Sequence, residues 1–408
     1  MRLKDIANIN PAYTGPDLGD QLVSFSPMEC LRYDSLKPIT ISFSEAKGKY
    51  TFFKDNDILF AKVTPCFENQ NIAIANNLVN GIGFGSSEIN VLRLKSDASL
   101  RYMFYVICSN RFYNTGCSSM CGVGGLKRIN PRAVSTFEFT MPSLVEQEAI
   151  AAYLDKECEK IGRKIELLER KADAYSRLRR SLINRAVTRG LDPNVSLKPS
   201  GNNWIGDIPQ HWGDERVEKY FHNNTSYNKD FQYKHAFKFF KGTIIHKDET
   251  FEEDEYQDTY EKYTIVEPND IIINGLNLNY DLKSMRVGKV TENGIITSAY
   301  IVLRPYNNVC SDFFNYLFKA FDYRKFFHGM GKGIRLTLSF NELRYFEIPI
   351  PPIDEQKKIA AYLDEKCAKI DAILEKINTE VERLKELKRS LINEVVTGQR
   401  AIDTESHS

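Results

Sequence analysis

The sequence predicts an α+β protein built by duplication: a mixed α/β globular half, a long helix, a second mixed half and a second long helix, the two helices packing as a coiled coil. Three observations predict this. Shifted by 209, Pro142–Gly190 lies on Pro351–Gln399 without a gap, with 21 identities in 49 positions; chance would give about three. Both stretches carry one heptad seam. The remaining two stretches carry strand-length apolar runs and short helical patterns instead.

The elements follow in order. In residues 1–141, strands are expected at Tyr50–Phe53, Ile58–Val63 and Glu88–Leu94, and a helix at Leu100–Cys108. Residues 142–190 form the first long helix, with Ile150, Leu154, Ile161, Ile165, Leu168, Ala172, Tyr175 and Leu182 on a four–three spacing. Ser143 and Glu146 offer a capping box, and Gly190 a stop. Residues 191–203, with Pro193, Pro199 and Gly201, read as a linker. In residues 204–350, strands are expected at Ile271–Ile273 and Ser298–Leu303, and a helix at Ser311–Phe321. Residues 351–398 form the second long helix, seamed by Ile359, Leu363, Ile370, Leu374, Ile377, Val381, Leu384 and Leu391, and 399–408 a tail. Two long apolar stripes in one chain are covered most economically by each other. Weaker echoes extend the repeat upstream: Asn56-Asp57-Ile58 matches Asn269-Asp270-Ile271, and Val91-Leu92-Arg93 matches Val302-Leu303-Arg304.

Composition excludes several classes. With 55 basic and 54 acidic residues the net charge is +1, so bulk charge does not hold a polyanion. The charge is uneven: Asp248–Glu261 holds eight acids and no base, and without it both globular halves are mildly basic. Among eight cysteines no pair has C-x-x-C spacing, which points to buried thiols in a reducing compartment. The N-terminus lacks the apolar core of a signal peptide, and no uncharged stretch suits a membrane span; a cytoplasmic protein is expected.

Catalytic motifs are imitated but incomplete. Asn10-Pro11-Ala12-Tyr13 approximates the box that holds a flipped adenine in amino-methyltransferases, yet no F-x-G-x-G follows a strand. Asp270 with Asp281 and Lys283 imitates a metal-dependent nuclease core, but the first half has only Asp57 and no later acid-x-Lys. No P-loop and no metal-ligand spacing occurs, and His211 reads as structural. The residues therefore read as a binding protein, against two alternatives: a self-sufficient nuclease or methyltransferase, and a coiled-coil adaptor that touches no nucleic acid.

Two diverged halves, each closed by Pro, Glu-Gln and a helix ending in Arg-Ser-Leu-Ile, resemble the specificity (S) subunit of a type I restriction–modification system. Trp204-Ile205-Gly206-Asp207-Ile208-Pro209-Gln210-His211-Trp212 resembles the entry into a target-recognition domain of that family. The resemblance implies two recognition domains reading a bipartite, asymmetric site in double-stranded DNA, with the helices antiparallel as a spacer. It implies no catalysis by this chain. Two modification subunits with S-adenosylmethionine would methylate adenine, and two restriction subunits with ATP and Mg would cleave.

On that reading, base contacts need polar side chains on loops. The candidates are Lys62, Thr64, Asn69, Gln70 and Asn71 in the first half, and Asn274, Asn277, Asn279, Lys283 and Arg286 in the second. Lys127, Arg128, Lys332 and Arg335 follow Gly-rich turns and suit phosphate. Glu146, Gln147, Glu355 and Gln356 are expected either to cap helices or to dock the modification subunits.

Overall fold

A computed structural model describes residues 1–95, 98–123, 125–240, 242–247, 257–280, 285–306, 308–333 and 336–402. The chain forms two compact units. One combines Met1–Glu169 with the chain from Asn378 onward; the other is Arg170–Ile377.

The first unit is built on a four-stranded antiparallel sheet in the order Ala7–Ile9, Ile89–Leu94, Ile58–Ala61, Ile72–Ile74. Its central strand, Ile-Leu-Phe-Ala, is buried throughout because both faces are covered. The pleat divides it. Ile58, Phe60 and Leu92 join the core around helix Leu100–Cys108, while Leu59, Ile89 and Val91 pack against Phe53, Leu31 and Ala73 on the other side.

The second unit repeats this sheet. Its order is Phe221–Asn223, Ile301–Pro305, Ile271–Ile273, Val287–Lys289, again antiparallel. The pleat divides it in the same way. Ile271, Ile273 and Leu303 enter the core around helix Ser311–Tyr323, and Ile272 and Val302 face Phe237, Val266 and Ile296.

The outer layers diverge. In the first unit Ile39–Ser42, Leu22–Ser26, Ile82–Gly85 and Thr51–Lys54 form a second four-stranded sheet. In the second unit the counterpart is two hairpin-sized pairs, Thr264–Val266 with Gly294–Ile296 and Phe237–Phe240 with Thr243–His246. The repeat is thus exact in the inner sheet and open in the layer laid over it.

The long helices run Leu144–Arg189 and Ile353–Val396, 46 and 44 residues. Gly190, at φ +71°, takes the left-handed conformation that stops the first. Within the first unit Leu154 shares a core with Leu391 and Val395, and Lys164 pairs with Glu380 at 3.1 Å. Rising in one helix means falling in the other, so the pair is antiparallel. Within the second unit Ile183 and Val187 share a core with Ile359 and Leu363, and Arg179 pairs with Asp371 at 3.0 Å, giving the same sense. The outer turns of each helix therefore also enter the globular cores, beyond the seam expected from the heptads alone.

The stretch read as a linker contributes a strand: Leu197–Pro199 pairs with Asp207–Pro209. Trp212 is buried in the second core, and His211 pairs with Glu355 at 2.8 Å. No helix among the described residues is long and apolar enough to cross a membrane.

One strand pair carries a pH-dependent weakness. Asp214 sits on Gly213–Arg216 opposite Glu347–Ile350, with Oδ1 buried and without a hydrogen bond among the described residues. Burial first, then the neighbouring Glu347, raises its carboxyl to about 6. The folded state holds this proton more tightly than the unfolded chain, whose value is about 3.9. Stability is thus greatest below that value and is lost as pH rises through about 6. Melting temperatures of wild type and Asp214→Asn should coincide near pH 4, and the variant should be the more stable at pH 7.

Candidate functional site

In each unit the loop leaving the central strand lies against the Gly-rich segment that follows the helix. In the first unit the Thr64 hydroxyl donates to the Gly125 carbonyl at 2.7 Å and accepts from the Lys127 N–H at 2.9 Å. The Thr64 N–H donates to the Lys127 carbonyl, and Val63 bridges Arg128. These bonds root a hairpin, Cys121–Val123 with Leu126–Arg128, whose six residues are all exposed. A two-stranded ribbon with no covered face is marginal alone, so its hold is at the root. Its end is apolar: Val123 is 90% exposed and its register partner Leu126 49%. In the second unit the Leu278 N–H donates to the Leu336 carbonyl and the Leu338 N–H to the Gly275 carbonyl. A Cβ on Gly275 would lie 2.2 Å from the Leu338 carbonyl oxygen, so only glycine permits this approach.

The structure sorts the sequence candidates. Lys62, Thr64, Lys127 and Arg128 converge on one edge of the first unit. Lys127 and Asn69 are exposed, Lys62 half-buried. Arg128 is exposed but engaged by the Glu88 carboxylate at 2.7 and 3.0 Å. In the second unit Asn277, Asn279 and Lys332 are exposed, with Lys332 3.5 Å from Glu342.

Others are corrected as base readers. Thr64 is the hairpin's root, with its hydroxyl used in both directions. Gln70 Nε2 donates to the Cys108 carbonyl, and Asn71 is buried. Asn274 Oδ1 accepts from the Leu276 N–H and closes its own turn. Arg286 is buried, its guanidinium donating to the carbonyls of Asn274, Leu276 and Asn277. It shapes the loop from within. Lys283 and Arg335, and with them Asp281, lie outside the described residues.

The Glu-Gln pairs are helix-start devices. Glu146 accepts from the Ser143 N–H and hydroxyl, a capping box. Gln147 is 2% exposed; its Oε1 accepts from the Ser99 N–H and its Nε2 donates to the Pro142 carbonyl, both at 2.9 Å. Gln356 does the same with the Cys310 N–H at 3.1 Å and the Pro351 carbonyl at 2.8 Å. Each glutamine ties the start of a long helix to the start of the helix in its globular half. Buried as they are, Gln147 and Gln356 offer no docking surface, which corrects that expectation for them; Glu355 instead faces His211. A tyrosine seconds each joint: Tyr105 donates to Asp155 and Tyr316 to Asp364, both at 2.7 Å. Gln147→Ala should strand a buried N–H and a carbonyl, costing about 1–3 kcal/mol. Chemical denaturation of the chain checks this, and an unchanged midpoint would exclude the joint.

An arginine–aspartate pair, repeated in both units, escaped notice. Arg93 holds buried Asp57 through Nε and Nη2 at 2.9 and 2.7 Å, and Arg304 holds buried Asp270 at 3.0 and 2.8 Å. Each aspartate also accepts a backbone N–H, from Lys54 and Glu267. Asp270 is therefore a clamp inside the fold, not an exposed metal ligand. The signal was present as two repeat echoes that were not joined. Asn10 of the methyltransferase-like box accepts from the Val91 N–H, and Tyr13 packs among Phe43, Phe52 and Phe84. Among the described residues no His/Cys/Asp/Glu cluster could hold a metal.

The family model described as type I restriction modification DNA specificity domain matches this chain twice, over residues 1–171 and 210–383. The chain belongs to this family. As a type I specificity-domain protein it is 36% identical over 160 residues to the EcoEI specificity subunit of Escherichia coli, covering 38% of this chain and 27% of the relative. To the EcoAI specificity subunit, also of Escherichia coli, it is 38% identical over 152 residues, covering 36% and 26%. The matched region thus spans about a quarter of the length of these relatives. A putative MjaX specificity subunit of Methanocaldococcus jannaschii is 22% identical over 293 residues, 68% of this chain and 62% of the relative. The fold matches a chain solved in work on complex assembly and conformational transition of the type I R-M system, with TM-score 0.72, 15% identity and 98% and 97% coverage. It also matches the HsdS subunit of Thermoanaerobacter tengcongensis, with TM-score 0.50, 16% identity and 98% and 96% coverage.

Proposed function

We propose that the chain is the DNA-reading specificity subunit of a type I restriction–modification complex. One observation carries this: the two units repeat the inner sheet, the clamp and the joint, and differ in the layers and loops around them. Such a pattern suits two readers with different targets on a common frame. Each half reads one part of a bipartite, asymmetric site in double-stranded DNA. In the first half the rooted hairpin is the principal reader. A two-stranded ribbon fits a major groove, Val123 and Leu126 suit a thymine methyl, and Lys127 suits a phosphate. In the second half Asn277, Asn279 and Lys332 take these roles.

The helices set the spacing. Half-sites read in successive major grooves lie about 34–36 Å or a multiple of it apart, and long helices shared by the two readers suit such a fixed gap. The chain performs no chemistry itself. Two modification subunits carrying S-adenosylmethionine methylate adenine beside it, and two restriction subunits use ATP and Mg. The assembly works in the cytoplasm. Most of the non-specific grip on phosphate belongs to the partners, as the near-zero net charge of this chain suggests.

Co-expression with the modification subunit, followed by genome-wide mapping of adenine methylation, tests this. One bipartite motif with a fixed gap is expected. Methylation without a bipartite motif, or cleavage by the isolated chain dependent on Asp270, Asp281 and Lys283, would overturn it.

A further inference from the structure

The two units differ at one place where the repeat brings equivalent residues together. In the second unit Asp371 of one long helix meets Arg179 of the other at 3.0 Å, and Arg179 also donates to the Tyr323 hydroxyl at 2.6 Å. The 209-residue shift makes Gly162 the counterpart of Asp371, and Lys388 the counterpart of Arg179. In the first unit these positions open onto a cavity of about 520 Å³, walled by Tyr33, Arg101, Tyr105 and Lys388. The Lys388 ammonium lies 4.1 Å from the centroid of the Tyr33 ring. Among the described residues no carboxylate makes an ion pair with it. A Cβ added at Gly162 meets nothing within 4 Å, so the helix is open exactly where its counterpart supplies an acid. A glycine inside a helix is destabilising relative to alanine, and packing among the described residues does not account for this one.

We propose that this cavity receives an Asp or Glu side chain of the modification subunit, which pairs with Lys388 in the place that Asp371 fills in the second unit. The proposal rests on the assembly proposed above. Charge selects the occupant. Arg101 is already shared by Asp34 and Asp155, each at 2.6 Å, and Glu159 and Arg163, which also line the cavity, pair with each other at 2.5 Å, so among the described lining residues Lys388 is the cation left without a carboxylate. A duplex would bring many phosphates towards these three acids, whereas one carboxylate needs only Lys388. The notch exists in one unit, so it distinguishes two otherwise similar docking faces.

The test uses the full chain with Gly162→Asp, Gly162→Asn and Lys388→Ala. In the free chain, Gly162→Asp should melt several degrees above Gly162→Asn at pH 7, and the difference should vanish when Lys388→Ala is added. With the modification subunit, native mass spectrometry and titration should show Gly162→Asp binding at least tenfold more weakly than Gly162→Asn, because the chain now fills its own notch. Lys388→Ala should weaken binding similarly, and a chain ending at Ile402 should bind as the full chain does. Equal binding by the Asp and Asn variants would overturn the proposal. So would a loss of DNA binding with subunit binding intact, or a loss caused by removing residues 403–408, which would place the acid in the chain's own tail. If the wild-type chain bound no modification subunit, the assembly reading would fail, and the proposal with it; the melting comparison would still report whether Lys388 accepts an acid.

Discussion

Asp57→Ala should unfold the first unit at markedly lower denaturant, by about 3–5 kcal/mol, the usual cost of leaving one partner of a buried pair behind. Asp57 is fully buried, and its two oxygens accept from Nε and Nη2 of Arg93 and from the Lys54 N–H. Removing the carboxylate strands a guanidinium only one-fifth exposed and a turn N–H as well. Asp270→Ala should act in the same direction on the second unit but cost less, because Arg304 makes the same two bonds to its aspartate and also pairs with Glu267 at 3.1 Å. Two probes in urea, one reporting each unit, should show the transition of the mutated unit displaced and the other nearly unmoved. Coincident displacement of both would mean that the units unfold as one. A negligible change in either would remove the clamp from the architecture. Asp270→Asn offers a milder comparison, since it keeps the shape and loses the charge.

Replacing residues 1–141 with the corresponding half of a relative should change one half of the methylated motif completely and leave the other half and the gap unchanged. The physical ground is twofold. Each wrong base pair costs about 1–3 kcal/mol, so a new reader with several new contacts abandons the old half-site altogether. The polar part of the joint asks little of the incoming half, a backbone N–H for Gln147 and a hydroxyl for Asp155, and the apolar part asks for a core that accepts Leu154, Leu391 and Val395. Methylation mapping of the chimera decides the matter. If both halves of the motif changed, the two units would not read independently. If the gap changed, the helices would not set it.

The parts of this fold that were legible in the sequence are those written as periodicity. The heptad seams located both long helices, and helix Leu100–Cys108 and strand Ile271–Ile273 lie where their apolar runs place them. Most of the outer layers were not legible, although the run Tyr50–Phe53 falls on strand Thr51–Lys54 of the first. Strands of two to five residues, such as Leu31–Arg32 and Ser35–Leu36, leave no period to detect, and their pairing is set by long-range contacts. The site was half legible for a different reason. Polar residues in loops were read as facing solvent, yet Thr64, Asn71 and Arg286 lie inside and hold the loops in shape. Identity across the repeat singled out Gln147 and Gln356 correctly as special. It could not say whether they were kept for a partner or for a joint, because both roles leave the same pattern in one sequence. The hairpin escaped because its tip is apolar, and an apolar residue was not sought among readers.

The two units are unequal in how the chain composes them. The second is one unbroken stretch, Arg170–Ile377, whereas the first joins Met1–Glu169 to the chain from Asn378 onward. Leu391, Ile392, Val395 and Val396 complete the core that begins with Leu3 and Ile6. During synthesis, the half made first therefore waits for the last helical turns, while the half made later can close before it. Domains ordinarily fold in the order in which they emerge; here the order is reversed. A ribosome that stops anywhere before residue 391 leaves the core begun by Leu3 and Ile6 open to water, so truncation within the second long helix acts on the half of the protein made first.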